Sequence, residues 1–356
     1  KAQALSVASS HATIRKALVA SQVALATLLL FAAGVFANRQ TVLAQEEMAP
    51  NSYLVQAGAS GPANADLLAF FPSNVQIQQG DTVTWSVNGF HNVHFGEGPT
   101  PLIIEADVDG TPTPAFNPAV FFPSIENGAA YTGGDVNNGF IFEPALAPVS
   151  PFTLVFDVDP GLYTYFCDIH PGMSGTVEVV GADQPVPSPM EAIALGGAEI
   201  GAAVGEAFAN FGAATEAGSA QMMSEGTETT VLAGFGTTAN LNMFFPWVAV
   251  IEPGDTVTWT LNADSRELHT ISWPPLYGQD VTPIPVEGGP PILALGAALI
   301  PLQESGAEVG QGDPFNLIVT PGQSVSLTFT DPGAYPYVCS LHVGMQGTIV
   351  VISPTG

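Results

Sequence analysis

Two copies of one stretch decide how this chain folds. The first is Tyr163-Thr-Tyr-Phe-Cys167-Asp-Ile-His170-Pro-Gly-Met173-Ser-Gly175-Thr-Val-Glu-Val-Val180, and the second is Tyr335-Pro-Tyr-Val-Cys339-Ser-Leu-His342-Val-Gly-Met345-Gln-Gly347-Thr-Ile-Val-Val-Ile352. In each, an aromatic alternation leads into a tight loop and a β-branched run leads out, the pattern of strand, turn and strand. The loop carries a thiol, an imidazole and a thioether, each three residues from the last. Such soft ligands suit copper better than magnesium or calcium, which prefer oxygen.

Outward from this stretch, the two halves of the chain repeat each other in order, the signature of a duplicated unit. Phe70-Phe71-Pro72 recurs as Phe244-Phe245-Pro246, and Gly80-Asp-Thr-Val-Thr-Trp85 recurs letter for letter as Gly254-Asp-Thr-Val-Thr-Trp259. Asp159-Pro-Gly-Leu-Tyr163 recurs as Asp331-Pro-Gly-Ala-Tyr335. Within a unit, Asn74-Val-Gln-Ile-Gln and Thr82-Val-Thr-Trp85-Ser-Val alternate apolar and polar residues across the turn at Gln79-Gly80-Asp81. Phe152-Thr-Leu-Val-Phe156 and the Tyr163 run flank the Asp159-Pro160-Gly161 turn. Trp85 and Trp259 read as core residues between two sheets. Tyr163 and Tyr335, just past a glycine turn, read as corner tyrosines whose hydroxyls tie a Greek-key crossing. The fold class expected is all-β: two tandem Greek-key β-sandwiches after an N-terminal hydrophobic export segment.

A copper site on the Cys-x-x-His-x-x-Met loop needs a second imidazole, and each half offers one just after its Trp strand, His91 and His269. Two histidine nitrogens and a thiolate in a trigonal plane, with methionine as a weak axial ligand, describe a mononuclear blue-copper (type 1) electron-transfer centre. The candidate ligands are His91, Cys167, His170 and Met173 in one half, and His269, Cys339, His342 and Met345 in the other. His94 lies three residues beyond His91. On a strand that odd spacing turns it to the opposite face, which predicts a partly exposed surface residue rather than a ligand. The only two cysteines of an exported chain would ordinarily suggest a disulfide, but each sits in its own complete ligand set.

At these residues each half resembles a cupredoxin, the family of plastocyanin, amicyanin and pseudoazurin, over about residues 52–180 and 229–353. His91-Asn92-Val93 is similar to the plastocyanin His-Asn-Val, and the short ligand loop is most like that of amicyanin. The resemblance implies that Asn92 hydrogen-bonds across to the cysteine loop and stiffens the site. Thr270 stands where that residue would be and departs from the pattern. It also implies that His170 and His342 lie at an apolar surface through which electrons pass, to and from protein redox partners.

The remaining segments set the boundaries. Arg15-Lys16 precedes an apolar run at residues 17–37, and Val42-Leu43-Ala44 offers a small-residue cleavage site. Residues 1–44 therefore read as a signal peptide, with an uncleaved anchor as the alternative. Export to the periplasm or the extracellular space follows, with membrane attachment only through that segment. Residues 45–181 and 229–356 read as the two cupredoxin domains. Residues 182–228 are a linker rich in Pro, Gly and Ala, in which Gly196, Gly197, Gly201 and Gly205 weaken any helix to a short surface one. Long Pro- and Gly-rich inserts, residues 96–150 and 273–314, predict lids or side decorations.

Composition narrows the partners. All 32 acidic residues follow position 45, where Arg266 is the only lysine or arginine, so the folded part lacks the cations that nucleic acid or an anionic membrane surface requires. Two rival functions share the ligands: a tandem-domain copper oxidase or nitrite reductase, and a copper carrier. The residues after the cysteines are Asp168 and Ser340 rather than histidines, and once four histidines are assigned the part after the leader retains only His94. That supply is too small for a second catalytic copper built of histidine, so the sequence predicts an electron-transfer protein and not an enzyme.

Overall fold

The computed structural model describes residues 50–140, 151–181, 183–222, 228–287 and 291–353. The expected export segment, residues 1–44, lies outside the described residues. Alternation in the sequence becomes alternation of burial. In the strand Thr82–Val87, Val83 and Trp85 are buried while Thr82 and Thr84 are only half so. Trp85 is ringed by Phe95, Phe152, Phe156 and Tyr165, and Trp259 packs against Phe329 and Tyr337. Taking about 200 Å² of indole from water at about 25 cal/mol/Å² contributes on the order of 5 kcal/mol per tryptophan. The hydroxyls of Tyr163 and Tyr335 donate to the carbonyls of Asp159 and Asp331, each at 2.7 Å, and close the two corners as expected.

Each half is a sandwich with its own five-stranded sheet. One holds Gly161–Phe166 between Ser174–Val180 and His94–Phe95. The other holds Gly333–Val338 between Gln346–Val351 and His269–Trp273. The opposite layer is shared. Strand Ala65–Phe71 pairs antiparallel with Ala239–Phe245, joining both halves in a continuous ten-stranded sheet. The junction is self-complementary. Leu68 N donates to Thr238 O at 2.7 Å, while its counterpart Asn242 N donates to Asn64 O at 3.0 Å. Reciprocal contacts of this kind mark a two-fold relation between the repeats.

The two inserts pair with each other rather than acting as separate lids. Strands Ile103–Val108 and Thr111–Phe116 of the first join Ile292–Leu295 and Val281–Ile284 of the second in a four-stranded sheet. A small core of Phe116, Val120, Phe121 and Leu293 lies beneath it. The connector also differs from expectation, because it is a 34-residue helix, Pro189–Met222. Ser188 and Glu191 form a reciprocal capping box at its start, with Ser188 N to Glu191 Oε2 at 2.8 Å and Glu191 N to Ser188 Oγ at 3.3 Å. Its small residues serve close approach. A Cβ on Gly196 would stand 2.8 Å from the Pro72 nitrogen, and one on Gly218 would stand 2.9 Å from that of Pro246. Ala203, Ala207 and Ala214 bury against Leu67, Phe71, Leu241 and Phe245 of the shared sheet. Tertiary packing thus outweighs the glycine penalty of about 1 kcal/mol per residue.

Candidate metal centres

The strand ends converge where the sequence places its candidate ligands. Cys167 follows Gly161–Phe166, Met173 precedes Ser174–Val180, and the loop between is closed by Cys167 N to Met173 O at 2.9 Å and Met173 N to His170 O at 3.0 Å. The second loop repeats this with Cys339 N to Met345 O at 2.9 Å and Met345 N to His342 O at 3.1 Å. Cys167 Sγ lies 3.7 Å from His91 Nδ1 and 3.4 Å from His170 Nδ1. Cys339 Sγ lies 3.8 Å from His269 Nδ1 and 3.3 Å from His342 Nδ1. A metal bound at about 2.0 Å to nitrogen and about 2.3 Å to sulfur sets such atoms about 3.5–3.8 Å apart, so both trios fit one. Met173 and Met345 are buried in the same clusters as their cysteines. Neither cysteine is in a disulfide.

Electrostatics favours the thiolate that a metal needs. Burial pushes the Cys167 thiol up, but His170 and His91 outweigh it and hold the group well below its usual range. Burial opposes His269 and His342 in the same way at Cys339, and again the imidazoles prevail. Two glycines make room for the first histidine of each set. Gly58 and Gly234 sit at bulges with φ of 72° and 83°, and a Cβ there would stand 2.0 Å from His91 Nε2 or 2.4 Å from His269 Nε2. The repeated Ala-Gly in the first strand of each half was the sequence signal for them.

The supports of the two loops differ in chemistry. Asn92 Oδ1 accepts from Asp168 N at 2.8 Å and Asn92 Nδ2 donates to Asp168 Oδ2 at 2.7 Å, the cross-loop clamp expected of Asn92. Thr270 fills the same role with a hydroxyl, accepting from Ser340 N at 2.8 Å, so the second site keeps its support. His94 corrects the sequence reading. It is 2% exposed, with Nδ1 2.9 Å from Asp168 Oδ1 and Nε2 3.4 Å from Asp135. The strand begins only at His94, so the alternation counted from His91 does not apply. It remains outside the ligand cluster.

His170 and His342 are not at an outer surface either. Their Nδ1 atoms face the cysteines, and their Nε2 atoms turn toward one another across a cleft between the halves. Between them stands Glu267, 7% exposed, with Oε1 3.5 Å from His170 Nε2 and Oε2 3.5 Å from His342 Nε2. Burial would raise the Glu267 carboxyl, but the two imidazoles hold it well below its usual range. Asn240 Nδ2 donates to Oε2 at 2.6 Å and to Asn242 Oδ1, and Asn242 in turn donates to Asp66. A cavity of about 530 Å³ opens beside these groups. Asp66, Glu267 and His342 form a third cluster able to hold a metal ion. Sequence reasoning missed Glu267, because nothing local to Arg266-Glu267-Leu268 shows that it reaches the other half.

Comparison with known proteins agrees with this geometry. A model of copper-binding proteins of the plastocyanin/azurin family matches residues 57–180 and 231–352. A plastocyanin from Scenedesmus fuscus is 33% identical over 121 residues, 33% of this chain and 92% of that protein. Among solved structures, an oxidised amicyanin variant is 18% identical, covers 38% of this chain and 87% of its own, and gives a TM-score of 0.21. A copper-containing nitrite reductase from Thermus scotoductus is 14% identical, covers 86% of this chain and 68% of its own, and gives a TM-score of 0.20. The expectation that the chain is not an enzyme is corrected, because the histidine count behind it overlooked carboxylates: Asp66 and Glu267 meet His342 in a cluster able to hold a metal ion that no count of histidines reveals.

Proposed function

The chain belongs to the plastocyanin/azurin family of copper-binding proteins, and from that premise we propose an exported electron-transfer protein with one mononuclear type 1 copper centre in each half. The ligands proposed are His91, Cys167, His170 and Met173, and His269, Cys339, His342 and Met345. Copper in such a site cycles between Cu(II) and Cu(I) without large rearrangement. The observation that carries the reading is the duplicated trio of two imidazoles and one buried thiol, within 4.8 Å of one another in both halves. The protein contributes rigidity. The backbone bonds that close each loop, the Asn92 and Thr270 clamps, and the Gly58 and Gly234 bulges fix the ligands before metal arrives, which keeps reorganisation small.

The physiological donors and acceptors we propose are other proteins, reached outside the cytoplasm, with residues 1–44 directing export. The scarcity of cations in the folded part supports a partner that is neither nucleic acid nor an anionic membrane surface. Copper content and visible absorption test the reading: each loaded centre should give an intense band from the cysteine–copper bond. A colourless protein that takes up no copper would sink it.

A second reading, a copper redox enzyme, is favoured by one feature, the Asp66–Glu267–His342 cluster at the cavity between the halves. A third copper per chain together with turnover of nitrite would establish it. Copper at two per chain without turnover of nitrite leaves the first reading standing.

A further inference from the structure

Glu267 has no counterpart in the first half. The residue two positions before His269 is Glu267, whereas the residue two positions before His91 is Gly89. The two-fold relation that duplicates every candidate ligand is broken here, and one buried carboxylate of the second half serves the outer nitrogens of both His170 and His342. Gly89 brings no carboxylate to that space, and the acid that does lie beside Glu267 there is Asp66 of the first half. The carboxylate is held from a third side by Asn240, and beside it Arg266 donates to the carbonyl of Leu68 in the first half. The Arg266-Glu267 pair is thus anchored across the domain boundary.

We propose that Glu267 is a positioning residue shared by both centres and that it links them into one coupled redox pair. The inference rests on the copper reading above. A carboxylate that accepts from the outer nitrogen of a ligating histidine fixes its tautomer and orientation and raises its basicity. Here each oxygen stands 3.5 Å from the outer nitrogen of a histidine from a different centre, placed to do this for both. With both centres oxidised, the carboxylate faces a positive charge on either side. Adding one electron to one centre removes one of those charges and breaks no bond and moves no proton. The carboxylate then bears more fully on the other centre, through a buried gap in which charge is poorly screened. The second electron is consequently harder to add than the first. By linkage the effect is the same whichever centre is reduced first.

The test uses four loaded proteins: Cys339→Ser, which keeps only the first centre, Cys167→Ser, which keeps only the second, and each of these with Glu267→Gln. Removing the charge should raise the reduction potential of both remaining centres and weaken copper binding at both by about tenfold or more. A Glu267 that serves only its own half would move the second centre alone, and an unmoved first centre overturns the proposal. Where the glutamine variants fail to fold, the reductive titration of the wild type decides. It should be broader than the sum of the two one-centre curves, and equality with that sum overturns the coupling. Absence of copper uptake or of the intense band in the wild type would instead overturn the underlying copper reading.

Discussion

The two candidate centres repeat the same types of ligand and differ in what surrounds them. Around the first loop the support is ionic. The Asp168 carboxylate, buried beside Cys167, accepts from Asn92, from Thr100 N at 2.7 Å and from His94. Around the second, hydroxyls do the work. Ser340 replaces the aspartate, Thr270 Oγ1 lies 2.8 Å from Ser272 Oγ, and Ser272 donates to Asn316 at 2.6 Å. Thr270 N also donates to Cys339 Sγ at 3.4 Å, and among the described residues no backbone amide does so for Cys167. A hydrogen bond to the thiolate draws electron density from it and favours the reduced metal, whereas a nearby carboxylate favours the oxidised one. On the proposed copper reading, both effects predict the higher potential at the second centre. Duplication kept the candidate ligands and let their surroundings diverge, so on that reading the two centres are expected to differ in potential.

The largest expected effect is loss of a whole centre. Gly58→Ala should drive a methyl into His91 and lower copper content from two per chain to one, and Gly234→Ala should do the same at His269. Atomic absorption reads the result, and unchanged stoichiometry in either variant would show that the bulge does not shape the site. Next in size is the support. Asp168→Asn leaves three donors around a weaker acceptor and should cost about 2–4 kcal/mol in denaturant unfolding. Ser340→Ala loses only the bond from Leu276 N and should cost about 1 kcal/mol. Asp168→Asn should also raise the potential of the first centre and narrow the gap to the second. A gap that widens would reverse the assignment of charge as the cause.

The smallest expected effect is a pH dependence confined to the first half. The hydrogen bond to Asp168 raises His94 above the usual histidine value of 6.5, against the lowering that burial exerts. A raised value means that the stabilisation is fully present below about pH 6.5 and is lost as pH climbs through the folded-state value. Wild type should therefore lose stability relative to His94→Gln over that window. The same loss of charge leaves Asp168 uncompensated, so the first potential should fall with it while the second stays flat. Parallel behaviour of both centres would contradict the ionic-versus-hydroxyl distinction.

What could be read in the sequence was what is local or repeated. Cys-x-x-His-x-x-Met places three side chains on one loop whatever the rest of the chain does, and the Trp and Tyr corners recur with it. His94 was misplaced because alternation was assumed before the strand starts. The helix carried its own start signal in Ser188-Pro189-Met190-Glu191, yet four glycines were weighed against it alike, although Gly196 is a point of contact with Phe71-Pro72, as Gly218 further on is with Phe245-Pro246, while a Cβ on Gly197, Gly201 or Gly205 would meet nothing within 4 Å. Glu267 was invisible for a different reason. Its meaning depends on the shared ten-stranded sheet, which sets residues about 100 and 75 positions apart on either side of one carboxylate, and no spacing rule reaches that far.

Copper content and visible absorption of wild type and Cys167→Ser, measured side by side, test the two-centre assignment most directly. Two coppers per chain with the intense cysteine–copper band in the wild type, and one copper with the second centre's band intact in the variant, are the results predicted. A wild type without the band, or a single substitution that bleaches both centres, would contradict it.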